Sequence, residues 1–167
     1  NVAYTAQKLG LKTMVIDLNI MYPVQHTYFG VRQVIEKTDL VSLLLGKAEL
    51  GECINTYKDI GIIYANNRNL TDYINCETDV AIENFKSAIE RIRSLYDLII
   101  IDAPLNVEYT LVNEAFFLAD QIYLVWDEGI SSIANTERIR RNMAMSGIDA
   151  YNKIKVIINK RTSIHYT

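Results

Sequence analysis

A doubly wound, mainly parallel α/β sheet is the fold class this sequence predicts. Short apolar runs alternate with amphipathic segments along the chain. The runs are apolar at successive positions rather than at every second one, and several end in a carboxylate or a side-chain amide. Strands that are apolar along their whole length belong to parallel sheets covered by helices on both faces.

The elements follow in order. Residues 2–9 read as a helix closed by Gly10, and 13–17 as a buried strand, Thr-Met-Val-Ile-Asp. Residues 40–45 suit a short helix stopped by Gly46, 49–57 a further helix, and 60–65 a second strand. The clearest helix covers 79–95, where Ile82, Phe85, Ile89 and Ile92 form one apolar face and Glu83, Lys86, Glu90 and Arg93 lie elsewhere. A nearly all-apolar strand at 98–102 ends in Asp102. A helix over 109–118, a strand at 121–126, a helix over 131–146 and a strand at 155–159 complete the series. Repeats, low-complexity tracts and Pro/Gly/Ser linkers are absent from the sequence, so residues 1–167 are expected to form a single domain.

Composition agrees. The 167 residues are 50% hydrophobic and 22% charged, with 7 Gly and 2 Pro, which excludes collagen-like and mostly disordered chains. A run of about 18 apolar residues, the length of a membrane-spanning helix, does not occur. Nothing at the start reads as a signal peptide, and Cys53 and Cys76 are too few for a disulfide framework. The expectation is a reduced, cytoplasmic protein. The net charge of −3 divides unevenly: residues 1–127 carry −7 and residues 128–167 carry +4. Arg138, Arg140 and Arg141 concentrate the positive charge, as a surface for nucleic acid or as an ordinary solvated helix face.

In parallel α/β sheets, ligands bind at the carboxyl ends of the strands. The polar residues there are Asp17, Asp102, Asp127 and Asn159. Two aspartates at neighbouring strand ends can hold Mg²⁺, directly or through water, beside a polyphosphate. Each alone reads equally as a cap on the loop that follows. Asn159 has a polar strand terminus as its alternative reading.

These residues carry a resemblance. Asn1–Gly10 is similar to the helix that follows the phosphate loop in the MinD/ParA branch of P-loop ATPases. The segments Lys12-Thr-Met-Val-Ile-Asp17-Leu-Asn19, Tyr96-Asp-Leu-Ile-Ile-Ile-Asp102-Ala-Pro104, Ala119-Asp-Gln-Ile-Tyr-Leu-Val125 and Val156-Ile-Ile-Asn159-Lys-Arg161 resemble that branch in order. The branch includes the pilus proteins called CpaE or TadZ. A second resemblance is to the ATPase domain of bacterial tyrosine kinases, through Asp17-Leu-Asn-Ile-Met-Tyr-Pro23 and His26-Thr-Tyr-Phe-Gly30; Met21 stands where that motif has arginine.

The first resemblance implies that Asp17 lies near Mg²⁺ and its waters, that Asp102 is the Walker B aspartate, and that Asn159 hydrogen-bonds adenine. It also implies ATP-driven dimerisation and a partner machinery such as a pilus, secretion, conjugation or partition apparatus. Three departures qualify it. The sequence contains no G-x-x-x-x-G-K-[ST] loop, and Gly46-Lys47 reads as a helix end. With Asn1 just inside the first helix, that loop is expected upstream, so the chain reads as a fragment truncated at the N-terminal strand and phosphate loop. Alone it is expected to bind ATP poorly, because the loop supplies the N–H groups and lysine that neutralise phosphates.

Asn19 occupies the place of the second aspartate of the D-x-D motif, the catalytic position; asparagine orients a water but accepts no proton. Leu105 replaces the glycine after Pro104. The expected activity is slow ATP hydrolysis by the intact protein. The alternatives are a nucleotide-independent scaffold with a degenerate ATPase fold, or a tyrosine-kinase-like domain. His26 and His165 stand in different contexts without a ligand cluster, which argues against zinc. The sequence lacks a G-x-S-x-G elbow, which argues against a serine hydrolase. Trp126 reads as core. Peripheral contact with the inner membrane face is the most that is expected by way of membrane attachment.

Overall fold

The computed structural model describes residues 1–30, 39–66, 68, 70–76, 78–104, 110–126 and 130–159. Leu105, Asp127, Lys160, Arg161 and His165, all weighed above, lie outside the described residues. The chain divides into two compact units, Asn1–Leu105 and Asn106–Thr167.

The first unit holds α1 (Val2–Lys8), β1 (Thr13–Asp17), α2 (Gln25–Tyr28), α3 (Leu40–Leu44), α4 (Leu50–Cys53), β2 (Asn55–Tyr57), β3 (Ile60–Ile63), α5 (Leu70–Ile74), α6 (Thr78–Arg93) and β4 (Leu98–Asp102). Its sheet has the order β2-β3-β1-β4. β1 is parallel to β3 on one side and to β4 on the other, in a register that sets Val15 beside Ile62 and Ile100, and Asp17 beside Asp102. This is the mainly parallel α/β sheet that the apolar runs predict.

Every residue of β1 and β3 is buried, as expected for central strands covered on both faces. Because side chains alternate between faces, Val15, Ile60 and Ile62 share one side. There they pack with Ala3 of α1 and with Tyr64, Phe29 and Ile100. α6 packs against β4 and α3. It buries Phe85, Ala88, Ile89 and Ile92, most of the stripe read from the sequence.

Gly10 and Gly46 end their helices with φ of +87° and +66°, conformations that a side chain disfavours. Asp39 caps α3 by accepting a hydrogen bond from the Ser42 N–H at 2.7 Å.

The helix placed at 49–57 stops at Cys53, and residues 55–57 form β2, antiparallel to β3. The connection is the two-residue turn Lys58-Asp59, with φ of 49° and 63°. Positive φ at both turn residues matches the right-handed twist of a hairpin. Neither residue is the asparagine or glycine that would announce such a turn.

The second unit holds α7 (Thr110–Leu118), β5 (Ile122–Trp126), α8 (Ile130–Met145), α9 (Ala150–Lys153) and β6 (Ile154–Ile158), with β5 and β6 parallel. Here the expectation of cover on both faces does not hold. Ile122 and Leu124 are buried, whereas Tyr123, Val125, Val156, Ile157 and Ile158 are exposed. In the parallel register Val156 stands beside Leu124 and Ile158 beside Trp126, so β5 buries one face, whereas β6 from Lys155 to Ile158 is exposed on both. Trp126, expected in the core, is half-buried and donates its indole N–H to Thr136 Oγ1 at 2.7 Å.

Candidate functional site at the strand ends

β1 and β4 end side by side at Asp17 and Asp102. One further ladder bond, Leu18 N–H to the Asp102 carbonyl at 2.9 Å, fixes the chain as it leaves β1. The backbone then turns back over its own strand end. Asp17 is fully buried, and both its oxygens hold that return. Oδ1 accepts from the Asn19 N–H at 3.1 Å; Oδ2 accepts from the N–H groups of Val24 at 3.2 Å and Gln25 at 3.1 Å. Asn19 adds a smaller turn, its Oδ1 accepting from the Tyr22 N–H at 3.3 Å. Aspartate and asparagine suit such positions because their short side chains bond to backbone two or three residues on.

The same return delivers a side chain to the second carboxylate. Gln25 Nε2 donates to Asp102 Oδ2. Gln25 therefore touches both aspartates, through its backbone N–H and through its carboxamide. The sequence reading passes over it: the two stretches that resemble the tyrosine-kinase motif flank Val24-Gln25 without including them. A lone glutamine two residues after a proline carries no signal, and only the fold of the loop reveals its reach.

Electrostatics at the pair are one-sided. Burial raises the Asp17 carboxyl above its ordinary value, and the neighbouring Asp102 charge adds to the rise. The backbone hydrogen bonds from Gln25, Asn19 and Val24 oppose it without cancelling it. Among the described residues neither aspartate has a lysine, arginine or histidine within ion-pair distance. The pair thus offers hard oxygen donors and uncompensated negative charge, which suits Mg²⁺. The two carboxylates differ in what they can give. Asp17 is spent on three backbone amides, so it serves as the anchor of the loop and as a nearby charge. Asp102 is half-buried and is the one suited to contact a cation or its waters. Among the described residues no group of three or more His, Cys, Asp or Glu could hold a metal, so any cation here needs water or ligand oxygens as well.

The remaining residues singled out by the sequence lie elsewhere. Asn159 belongs to the second unit, where its N–H extends the β5–β6 ladder by donating to the Trp126 carbonyl at 2.8 Å, and its side chain is exposed. Arg138, Arg140 and Arg141 are exposed on α8, and Arg140 lies 3.6 Å from Glu137 of the same helix. Cys53 is buried and Cys76 half-buried; neither forms a disulfide. Among the described residues no helix is long and apolar enough to cross a membrane.

With the geometry in view, the class of fold can be stated: it is that of the MinD/ParA-type P-loop NTPases. No family model matches the chain, and neither does any curated protein sequence. Solved structures match closely in shape. The septum site-determining protein MinD complexed with Mg-ADP, from Pyrococcus horikoshii, superposes with a TM-score of 0.72 at 21% identity, over 97% of this chain and 64% of that one. A plasmid partition protein from Borrelia burgdorferi gives 0.78 at 14% identity, over 99% and 74%. The kinase domain of the Escherichia coli tyrosine kinase ETK gives 0.73 at 20% identity, over 99% and 63%. The chain spans about three fifths of the length of the MinD structures it matches. At these identities the likeness is one of fold.

Proposed function

We propose that this chain carries the strand-end half of an ATP- and Mg²⁺-binding switch of the MinD/ParA type, one that hydrolyses ATP slowly. The observation that carries the reading is the pairing of Asp17 and Asp102 at adjacent parallel strand ends without a compensating cationic side chain among the described residues. Asp102 would hold Mg²⁺, directly or through water, and Asp17 would add charge while it anchors the loop. The ion supplies charge neutralisation for the phosphates.

This chain's own contribution is placement. The Asp17 carboxylate fixes residues 19–25, and the loop in turn fixes Asn19. That residue can hold a water by its amide but takes no proton from it, which supports slow turnover. In this reading Asn159 contacts the adenine of ATP. The fold relatives include a MinC:MinD complex, which supports a protein partner, with dimerisation of this chain as the step that nucleotide controls. Candidate machineries are those of pilus assembly, secretion, conjugation or partition. Non-specific DNA contact would fall to the exposed Arg138, Arg140 and Arg141, of which Arg140 neighbours Glu137.

Titration of a fluorescent ATP analogue with Mg²⁺ into the full-length protein tests the reading, with the 167-residue chain as control. Tighter binding by the full-length protein, abolished by Asp102→Asn, is the expected result. No binding by either would replace the switch with a nucleotide-independent scaffold, which the asparagine at position 19 also favours. ATP-dependent phosphotyrosine on the protein would favour the kinase-like alternative.

A further inference from the structure

We propose that Gln25 is a latch on the cation site: its carboxamide holds Asp102 Oδ2 while no cation is bound, and a cation gains that oxygen by displacing it. The inference rests on the Mg²⁺ reading above and names how that site is regulated. Gln25 is drawn across 77 residues of sequence to Asp102, while its backbone N–H is tied to Asp17. Only the NH₂ end of a carboxamide can face a carboxylate favourably, because the carbonyl end would repel it. That orientation turns the positive end of the amide dipole toward the place a cation must take. An arriving cation and the Gln25 NH₂ therefore compete for one oxygen, and binding requires the side chain to withdraw.

Withdrawal has a consequence for the backbone. The Gln25 side chain and the three amides on Asp17 are the described hydrogen bonds from residues 19–25 to the two strand-end carboxylates. A cation that draws charge density from this pair weakens the grip of both carboxylates on the loop. Loading of the site is thereby coupled to release of the segment that carries Asn19, before any nucleotide contributes. Gln25 acts through Asp102 and is a positioning residue.

The test is Mn²⁺ binding to the full-length protein without nucleotide, followed by electron paramagnetic resonance, with amide exchange of residues 19–28 as a second readout. Removing the competing hydrogen bond in Gln25→Ala should tighten Mn²⁺ by about three- to tenfold, a partly exposed charge-assisted bond being worth that much. Gln25→Leu, which keeps the side-chain volume, should do the same. In the wild type, Mn²⁺ should speed exchange at Val24 and Gln25; in both variants exchange should start faster and change little on adding the metal. Weaker binding in the variants would make Gln25 a ligand and overturn the latch. Equal binding in all three would overturn it as well, while loss of binding in Asp102→Asn would still uphold the site. No Mn²⁺ binding by any form would overturn the latch and the site together.

Discussion

Replacing Asp17 sets two large effects against each other. The carboxylate is fully buried beside a second carboxylate, and its raised pKa records a cost of keeping it charged there. Against that cost it accepts three backbone hydrogen bonds of 3.1 to 3.2 Å. Bonds to a charged group contribute about 1.5–3 kcal/mol each when the donors stay dry. Val24 is exposed and Asn19 half-buried, so the freed amides of an Asp17→Ala variant would regain water and the loss falls to about 1 kcal/mol each. Relief of the buried charge offsets part of that loss. Hydrogen bonding wins: Asp17→Ala should destabilise the protein by about 2 kcal/mol, a fall of roughly 4–8 °C in Tm.

Asp17→Asn keeps an oxygen for two of the amides and should cost about 1 kcal/mol or less. Urea denaturation at pH 7 measures both. The pH dependence has a definite sign. The folded chain keeps the Asp17 proton to a higher pH than the unfolded value of 3.8, so this residue's contribution to stability falls as pH rises through that window and returns on acidification. The stability of wild type minus that of Asp17→Asn should decline above pH 3.8 and level off beyond the raised pKa. An Asp17→Ala variant as stable as wild type at pH 7 would refute the reasoning and give the decision to charge burial.

Gly61 of β3 has no room for a side chain: a Cβ there would stand 2.5 Å from Tyr96 Oη and 2.9 Å from Met14 Cε. Gly61→Ala should cost about 1–3 kcal/mol by urea denaturation, and much less in a Tyr96→Ala background; equal costs in both would show that the crowding is not with Tyr96. Burial pushes the Cys53 thiol up to about 12, with Asp39 and Glu52 adding to the rise. A disulfide reagent at pH 8 should therefore label Cys76 first and reach Cys53 only after denaturation, and rapid labelling of both would contradict the burial of Cys53. Under the proposed function, Asn19→Asp restores a proton acceptor and should raise ATP turnover of the full-length protein about tenfold or more, whereas an unchanged rate would remove Asn19 from the chemistry.

What could be read from the sequence follows from what kind of signal each feature leaves. Apolar runs that end in aspartate gave away β1 and β4, and the parallel class then made their ends neighbours. The Asp17–Asp102 pair was thus legible without coordinates. The stripe on α6 was legible because a 16-residue helix repeats its period several times. Four-residue α2 and α9 and three-residue β2 are too short to show a period, and Lys58-Asp59 adopts a turn through backbone strain rather than through composition. Gln25 and the anchoring role of Asp17 depend on how a loop folds back, which no local pattern encodes. The exposed apolar residues of β5 and β6 show the converse, since apolar sequence states only what a strand could bury.

The register that sets Asp17 beside Asp102 also bears on how the protein folds. β4 joins β1 across a long separation, as the Lys12 N–H bonded to Asp97 Oδ2 at 2.9 Å, 85 residues away, makes plain. Contacts so distant along the chain form after most of the closure entropy has been spent, so this pairing belongs late on the folding route. In the unfolded ensemble the two aspartates are far apart and screened from each other. Their repulsion is therefore switched on at the docking of β4, and divalent cations or mild acid should speed that closing step.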